Sequence, residues 1–444
     1  MDSYQIIANS IAADIASGRL RPGDRLPPQR EFADRRGIAT STASRVYAEL
    51  VRRGLVVGEV GRGTYVRAAP EPPSPTLVEP PDASVNLELN FSIFPEQVPE
   101  MAPALATLVH EDALGDALRP LGAAATRRAR EVAAAFLSRH RWSPEPDGVL
   151  FTGSGRQAIA VSMAALTPIG GAVGVEAVTY PIVKGIAARL GITLVPLALD
   201  GEGVRPDAMV RAHRTRRLSA IYIQPSLHNP LGISMGRARR RDLAAALKET
   251  GTFAIEDAVY SFLADDEPVA AFASQRTILI DSLSKRVAPG LTLGFIAAPE
   301  HLAEKLAATI RSGGWLAPAF SVAAGLRWMA DGTAARIATA KRAHAAARYQ
   351  LARELLRGLT MRGDPRAFHV WLELPDVWRA DTFAAAAARR GIAITPASAF
   401  TVGAGHAPNA VRLALAAPSR DALAGALQKL RRLALASPDE TLAE

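Results

Sequence analysis

Six short apolar runs punctuate the middle of the chain: GVLFT at 148–152, AVGVE at 172–176, TLVPL at 193–197, SAIYIQ at 219–224, TFAIED at 252–257 and TILIDS at 277–282. Segments with helical spacing lie between them, such as GRQAIAVSMAAL (155–166) and GRARRRDLAAALKE (236–249). Short, nearly unbroken apolar runs alternating with helices predict a parallel or mostly parallel sheet with helices on both faces. Past Pro299 the pattern changes to long helices, and a smaller α+β segment is expected from about Phe368 to residue 444. Alanine-rich stretches such as TFAAAAARR (382–390) read as helix.

The first 67 residues follow a different pattern. Helical spacing covers Tyr4–Ser17, Pro28–Arg36 and Ser41–Arg53, and Gly37 separates the last two as in a helix-turn-helix. Thr40 or Ser41 is expected to cap the second helix of that pair. GLVVGEVGRGTYV then alternates apolar residues about a Gly-Arg-Gly tip, the pattern of a β-hairpin wing. Tyr47, Leu50, Leu55 and Val57 are the expected core. From residue 67 to 85 the chain reads RAAPEPPSPTLVEPPDASV, where six prolines favour a stiff, extended connection. The division is therefore 1–67, a proline-rich linker at 68–85, and a large unit at 86–444.

Composition changes this picture in three ways. Residues 1–67 hold eleven arginines, no lysine and seven acids, within a chain of net charge +9, and that excess favours contact with phosphate. There is no cysteine, which excludes a disulfide framework, a thiolate metal site and a cysteine nucleophile. Neither a secretion signal nor an apolar run long enough to span a membrane is apparent, so a cytoplasmic location and no membrane partner are expected.

Only six lysines occur, and five lie on helical patterns with polar neighbours, where exposed roles are expected. Lys285 differs. In DSLSKRVAPGLTLGF (281–295) it follows an apolar strand and a serine, so it stands at the carboxyl end of a strand, where open α/β sheets bind ligands. An amine there does covalent chemistry if it is held near a carbonyl and its charge is disfavoured. Other candidates share the position. TGSGRQA (152–158) joins a strand to a helix, so that Ser154, Gly155 and Arg156 can meet a phosphate at a helix N-terminus. IEDAVY (255–260) and SLHNPLG (226–232) put Asp257 and Asn229 just past strands, and PNAVRLALA (408–416) offers Arg412 for a carboxylate. Taken singly, Tyr180 or Tyr260 reads equally as a core aromatic, Asn229 as a turn residue and Asp257 as a strand-end cap.

At PGDRLPPQREFADRRG and STASRVYAELVRRGLVVGEVGRGTYV the chain resembles the GntR family of winged-helix repressors, over essentially all of residues 1–67. The resemblance implies double-stranded operator DNA as partner. Arg30, Ser41, Thr42 and Arg45 would face it, with Arg45 in the major groove and Gly61, Arg62 and Gly63 in the neighbouring minor groove. Many relatives carry an arginine where this chain has Ser41. From about Leu89 to Arg432 the chain resembles the pyridoxal 5'-phosphate (PLP) enzymes of the aspartate aminotransferase fold (fold type I). Behind a GntR-like domain this is the arrangement of the MocR regulators.

That resemblance implies PLP as cofactor, joined to Lys285 as an imine. Asp257 would hold the pyridine nitrogen, Asn229 and Tyr260 the phenolic oxygen, and Tyr180 would stack on the ring. Ser154, Gly155, Arg156, Ser282 and Ser284 would surround the phosphate, Arg412 would take the carboxylate of an amino-acid effector, and two copies would form a homodimer. One departure stands out: the family's S-K-x-x-x-P-G-x-R-x-G has become SKRVAPGLTLG, with Thr292 replacing the arginine that clasps the phosphate. Arg156 is the candidate to restore that charge. Three readings follow: a regulator switched by PLP or a PLP-amine adduct, an active aminotransferase carrying a DNA-binding domain, and a regulator whose large domain only dimerises.

Overall fold

A computed structural model describes residues 3–16, 19–20, 24–52, 55–59, 63–66, 83–110, 114–115, 117–403 and 407–436. The chain forms two compact units that divide near residue 77.

The first unit contains helices α1 (Ser3–Ala16), α2 (Gln29–Arg36) and α3 (Thr40–Arg52), and strands β1 (Arg25–Leu26), β2 (Val56–Glu59) and β3 (Gly63–Val66). The three strands form one antiparallel sheet in the order β1-β3-β2. Gly37 ends α2 in the left-handed conformation (φ +61°), which glycine adopts without steric cost. Ala43, Val46, Tyr47 and Leu50 put one stripe of α3 into the core, and Phe32 meets Tyr47 edge to face at 5.4 Å. Leu55 is partly buried, as expected, whereas the side chain of Val57 lies outside the described residues. The expected cap is displaced. Ala39 supplies the carbonyl that accepts the first helical bond, from Ala43 at 3.0 Å, so Thr40 and Ser41 already belong to the first turn.

The second unit is built on a seven-stranded sheet. Its strands are β4 (Val149–Thr152), β5 (Ala172–Glu176), β6 (Thr193–Leu197), β7 (Ala220–Ile223), β8 (Phe253–Asp257), β9 (Thr277–Ser282) and β10 (Gly294–Ala297). They lie in the order β4-β10-β9-β8-β7-β5-β6, with only β10 antiparallel to its neighbours. β4, β5, β7 and β9 are buried at every position, the pattern of strands covered on both faces. β6 is the edge, and there Pro196 breaks no interior ladder. Helix α4 (Gly155–Leu166) follows β4, α5 (Pro181–Arg189) follows β5, and the four-residue α6 (Leu283–Arg286) follows β9.

The smaller segment has a four-stranded antiparallel sheet that includes β11 (Met361–Arg362), β12 (His369–Glu373), β13 (Thr395–Pro396) and β14 (Ala410–Ala414). It begins before Phe368, because β11 pairs with β12, and it also recruits chain from far upstream. Val85–Asn86 forms a parallel pair with Ile392–Ala393, and Leu87 is buried in the same core. Val85, assigned to the linker by composition, is thus paired in a strand. The 23-residue helix α7 (Thr333–Leu355) joins the two cores: Ala334 and Ile337 pack under the large sheet and Ala352 in the small core. At about 1.5 Å per residue it spans roughly 35 Å.

Two lysines expected at the surface are not there. Lys184 is partly buried and donates to the carbonyls of Ala399 and Thr401. Lys341 is fully buried. It falls on the stripe of Ala334, Ile337, Ala338 and Ala345, and that helical register outweighs its polar neighbour Arg342.

Gly294 opens β10 between the ends of β4 and β9, paired with Thr152 and Ser282. A Cβ there would lie 2.3 Å from Thr152 Oγ1 and 2.4 Å from the Ser154 carbonyl oxygen. Gly294→Ala is therefore expected to destabilise the large unit by about 2–3 kcal/mol in denaturant unfolding, the usual cost of overpacking. Gly290→Ala, where a Cβ meets nothing within 4 Å, is the control that leaves stability unchanged.

Candidate functional site

A cavity of about 340 Å³ opens at the carboxyl ends of the parallel strands, within the range of small-molecule sites (roughly 300–1,000 Å³). Ser154, Gly155, Arg156, Tyr180, Asn229, Asp257, Tyr260, Ser284 and Lys285 all line it, brought together from five strand ends. Two predicted residues stand one layer back. Ser282 Oγ accepts a bond from the Ser284 amide at 3.1 Å and lies 3.3 Å from Thr292 Oγ1. Arg412 donates to Asn229 Oδ1 at 3.2 Å from behind the cavity wall.

One side of the cavity is formed where β4 turns into α4. Ser154 caps the helix by accepting from the Gln157 amide at 3.2 Å. Gly155 allows the turn to approach β9, since a Cβ would lie 3.1 Å from that of Ser282. Thr292 lines the cavity beside Ser282, where it offers a hydroxyl and no charge. Arg156 is exposed, and its side chain hydrogen-bonds the Tyr180 hydroxyl.

Asp257, the last residue of β8, is buried and held at three points. Oδ2 accepts from the Tyr222 hydroxyl at 2.6 Å and Gln224 Nε2 at 3.0 Å, while Oδ1 accepts from the Val259 amide at 3.1 Å. Burial pushes its pKa up, and these donors pull it back toward the carboxylate. Gln224 is a hub, because its Oε1 also accepts from the Asn229 amide at 3.1 Å.

Tyr260 is fixed by Asn90, whose Nδ2 donates to its hydroxyl oxygen at 2.8 Å and sits 3.0 Å from His369 Nδ1. His369 Nε2 in turn donates to the His228 carbonyl at 3.0 Å. Burial and the charge of Arg412 push His369 down to about 3, so it is neutral. Because Asn90 is the donor, the Tyr260 O–H proton is free for a bond into the cavity.

Lys285 lies partly exposed to the cavity, 5.7 Å from the centre of the Phe91 ring. Its pKa is lowered to about 7, first by burial and then by Arg412 and Arg156, against the opposing pull of Asp257. Arg412 is buried and has no carboxylate within ion-pair distance among the described residues. Its other bonds go to the Glu88 carbonyl and Thr395 Oγ1.

Tyr222, Gln224, Phe91, Asn90 and His369 escaped the sequence reading. Tyr222 and Gln224 left a signal, as alternate polar residues in SAIYIQ that share one face of the strand with the site. Asn90 and Phe91 lie nearly sixty residues before β4 and carry no local mark.

In the first unit, α3 exposes Ser41 and Arg45 opposite its core stripe, with Thr42 half-buried, and Arg30 is exposed on α2. Arg35 pairs with Glu31, and Arg36 lies 5.8 Å from the centre of the Phe32 ring. Gly63 has φ +121°, and a Cβ there would meet the Arg25 guanidinium at 2.7 Å, so Arg25 packs against the wing. Gly61 and Arg62 lie outside the described residues.

The bacterial regulatory protein gntR family model matches residues 3–66, and the aminotransferase class I and II model matches residues 97–430. The chain is 29% identical over 435 residues to the HTH-type transcriptional regulator YdeF of Bacillus subtilis, which covers 97% of this chain and 94% of that protein. It is 27% identical to the vitamin B6 salvage pathway transcriptional repressor PtsJ of Salmonella typhimurium, over 69% of this chain and 70% of the repressor. Among solved structures, an archaeal alanine:glyoxylate aminotransferase superposes with TM-score 0.72 at 21% identity, covering 79% of this chain and 90% of the enzyme. The α-aminoadipate aminotransferase LysN of Thermus thermophilus gives 0.71 at 22%, covering 81% and 93%. The chain therefore belongs to the aminotransferase class I and II family, and it carries that fold behind a GntR-type helix-turn-helix domain in the arrangement of the MocR regulators.

Proposed function

We propose that the protein is a transcriptional regulator that binds operator DNA through its winged helix and takes PLP into the cavity of its large domain as the regulatory ligand. The observation that carries this reading is a DNA-binding head in the same chain as a cavity lined by Lys285, Asp257, Asn229 and Tyr260. The relatives named as B6 regulators, PtsJ and the pyridoxine biosynthesis regulator PdxR of Corynebacterium glutamicum, support it. The reading also includes a cytoplasmic homodimer, the symmetry that matches paired half-sites on DNA. An amino acid or amine is its further effector.

The residues fit the cofactor. PLP would supply an aldehyde and an electron-withdrawing ring. Lys285 offers a neutral amine to that aldehyde, and Asp257, fixed by Tyr222 and Gln224, offers a carboxylate to the pyridine nitrogen. Tyr260 and Asn229 donate to the phenolic oxygen, and Tyr180 covers the ring. Ser154, Gly155, Ser284 and Arg156 take the phosphate, with Ser282 bracing Ser284. Arg412, buried with no carboxylate within ion-pair distance among the described residues, receives the carboxylate of an amino-acid effector. Binding alone suffices for a switch if the two states of the protein differ in affinity for the ligand. Sustained turnover with amino and keto acids would instead support the aminotransferase reading.

Three measurements test the proposal. Only neutral Lys285 carries the lone pair that captures the aldehyde, so the rate of cofactor uptake is expected to climb roughly tenfold from pH 6 to pH 8 around a pKa near 7. That uptake, followed by visible absorbance, is abolished in Lys285→Ala, and a variant that still develops the band removes the lysine's role. Arg156→Ala is expected to raise the dissociation constant for PLP about tenfold, the loss of one charge-assisted contact. An unchanged constant would show that Thr292 and the backbone suffice. Arg45→Ala should weaken specific DNA binding by roughly 1–3 kcal/mol in a titration on operator fragments, as expected for a bidentate base contact.

A further inference from the structure

Lys341 is the one fully buried lysine among the described residues, and no acid lies within ion-pair distance of it. Its Nζ donates to the carbonyl oxygens of Lys285 at 3.0 Å and Val287 at 2.6 Å. Burying an ammonium group without a counter-charge is costly, and a methionine of similar length would fill the same space without that penalty. The position therefore calls for a use of the amine.

The geometry supplies one. Helix α6 is a single turn of four residues, far below the length at which a helix sustains itself. Its terminal carbonyls need donors from elsewhere. Lys341 serves two of them, and Gln97 Nε2 adds a second bond to the Val287 carbonyl at 2.7 Å. From the other side Arg286 pairs with Asp281 at 2.7 Å and lies 4.2 Å from the centre of the Phe136 ring. The turn bearing Lys285 is thus clamped, and the clamp at Lys285 itself is Lys341.

The clamp also has a far end. Lys341 lies midway along α7, whose last turns enter the core of the small segment. There Arg348 donates to the Leu415 carbonyl at 2.7 Å and Tyr349 to the Gly363 carbonyl at 3.3 Å. We propose that Lys341 is a positioning residue for Lys285, tying the placement of the cofactor-binding amine to α7 and so to the small segment of the domain. This rests on the cofactor reading given above. Burial and the nearby charge of Lys285 also push Lys341 down to about 7, so removing it takes a competing cation from beside Lys285 as well. The charges facing Lys285 from other elements, Arg412, Arg156 and Asp257, remain in place.

The test compares Lys341→Met with the wild type in two ways. With six lysines in the chain, ε-labelled lysine gives an NMR spectrum simple enough to follow Lys285 in the cofactor-free protein, assigned with Lys285→Ala. Lys341→Met is expected to displace the Lys285 signal, to raise its titration midpoint, and to increase the PLP dissociation constant at least tenfold. A folded Lys341→Met protein whose Lys285 signal, midpoint and PLP affinity all match the wild type overturns the proposal. If the methionine variant does not fold, Lys341→Gln, which keeps a donor and loses the charge, is measured in the same way against the same criteria. Should the wild type take up no PLP, the cofactor reading falls, while the Lys285 signal still decides the role of Lys341.

Discussion

At the cavity Asp257 is the lining carboxylate without an arginine partner, because Asp281, which also lines it, is paired with Arg139 and Arg286, and the rest of the site is arranged around the cations that gather about Asp257. Lys285 and Arg156 line it and Arg412 stands just behind, whereas Asp257 is the carboxylate held among them by hydrogen bonds. In a buried setting such charges act on one another more strongly than in water. Burial disfavours the charged lysine, and the arginines, which cannot release their protons, add to that, so the lysine yields and its amine is left nucleophilic near neutral pH. On the proposed reading the same arrangement suits an anionic ligand. A molecule bearing a phosphate and a carboxylate would neutralise the two arginines, and an electrophilic carbon between those groups would face the amine.

Much of this was legible in the sequence because strand ends are legible. Six apolar runs predicted the sheet, and four of them predicted a site member at or just past their carboxyl ends, since the carboxyl ends of parallel strands share one edge. Asp257, Lys285, Ser154 and Asn229 were all found that way. The antiparallel β10 escaped because GFIA at 294–297 is a short run following a site loop, and period alone does not give strand direction. Asn90 and Phe91 escaped for a different reason. They reach the site through the pairing of Val85–Asn86 with Ile392–Ala393, a contact between segments three hundred residues apart. Lys341 was misread because Arg342 beside it in sequence is polar, whereas its neighbours on the helix face are alanines and isoleucine.

The hydrogen bonds missed by the sequence reading hold the chemical groups in place. Gln224 fixes Asp257 and Asn229 together, so the acid and the asparagine that line the cavity are set by one side chain. Asn90 and neutral His369 set the direction of the Tyr260 hydroxyl. Such residues leave weak sequence signals because their task is defined by what they touch rather than by where they fall along a strand.

The substitution at position 292 bears on why such a site would serve a regulator. In the family pattern the arginine at this place is part of the turn that also carries the lysine, so cofactor charge and covalent attachment are secured by one element. Here Thr292 adds only a hydroxyl to that turn, and the arginine that lines the cavity, Arg156, comes from α4 and is exposed. An exposed charge is screened by water and salt, so it holds an anion less firmly than a buried one. An enzyme that must retain its cofactor through many turnovers loses by that exchange. A sensor gains, because a ligand reports its own concentration only when its dissociation constant lies near the level at which it is found, and a site saturated under all conditions shifts no equilibrium. On the proposed reading, moving the cation from the lysine's own turn to α4 is what makes occupancy of the cavity a variable quantity.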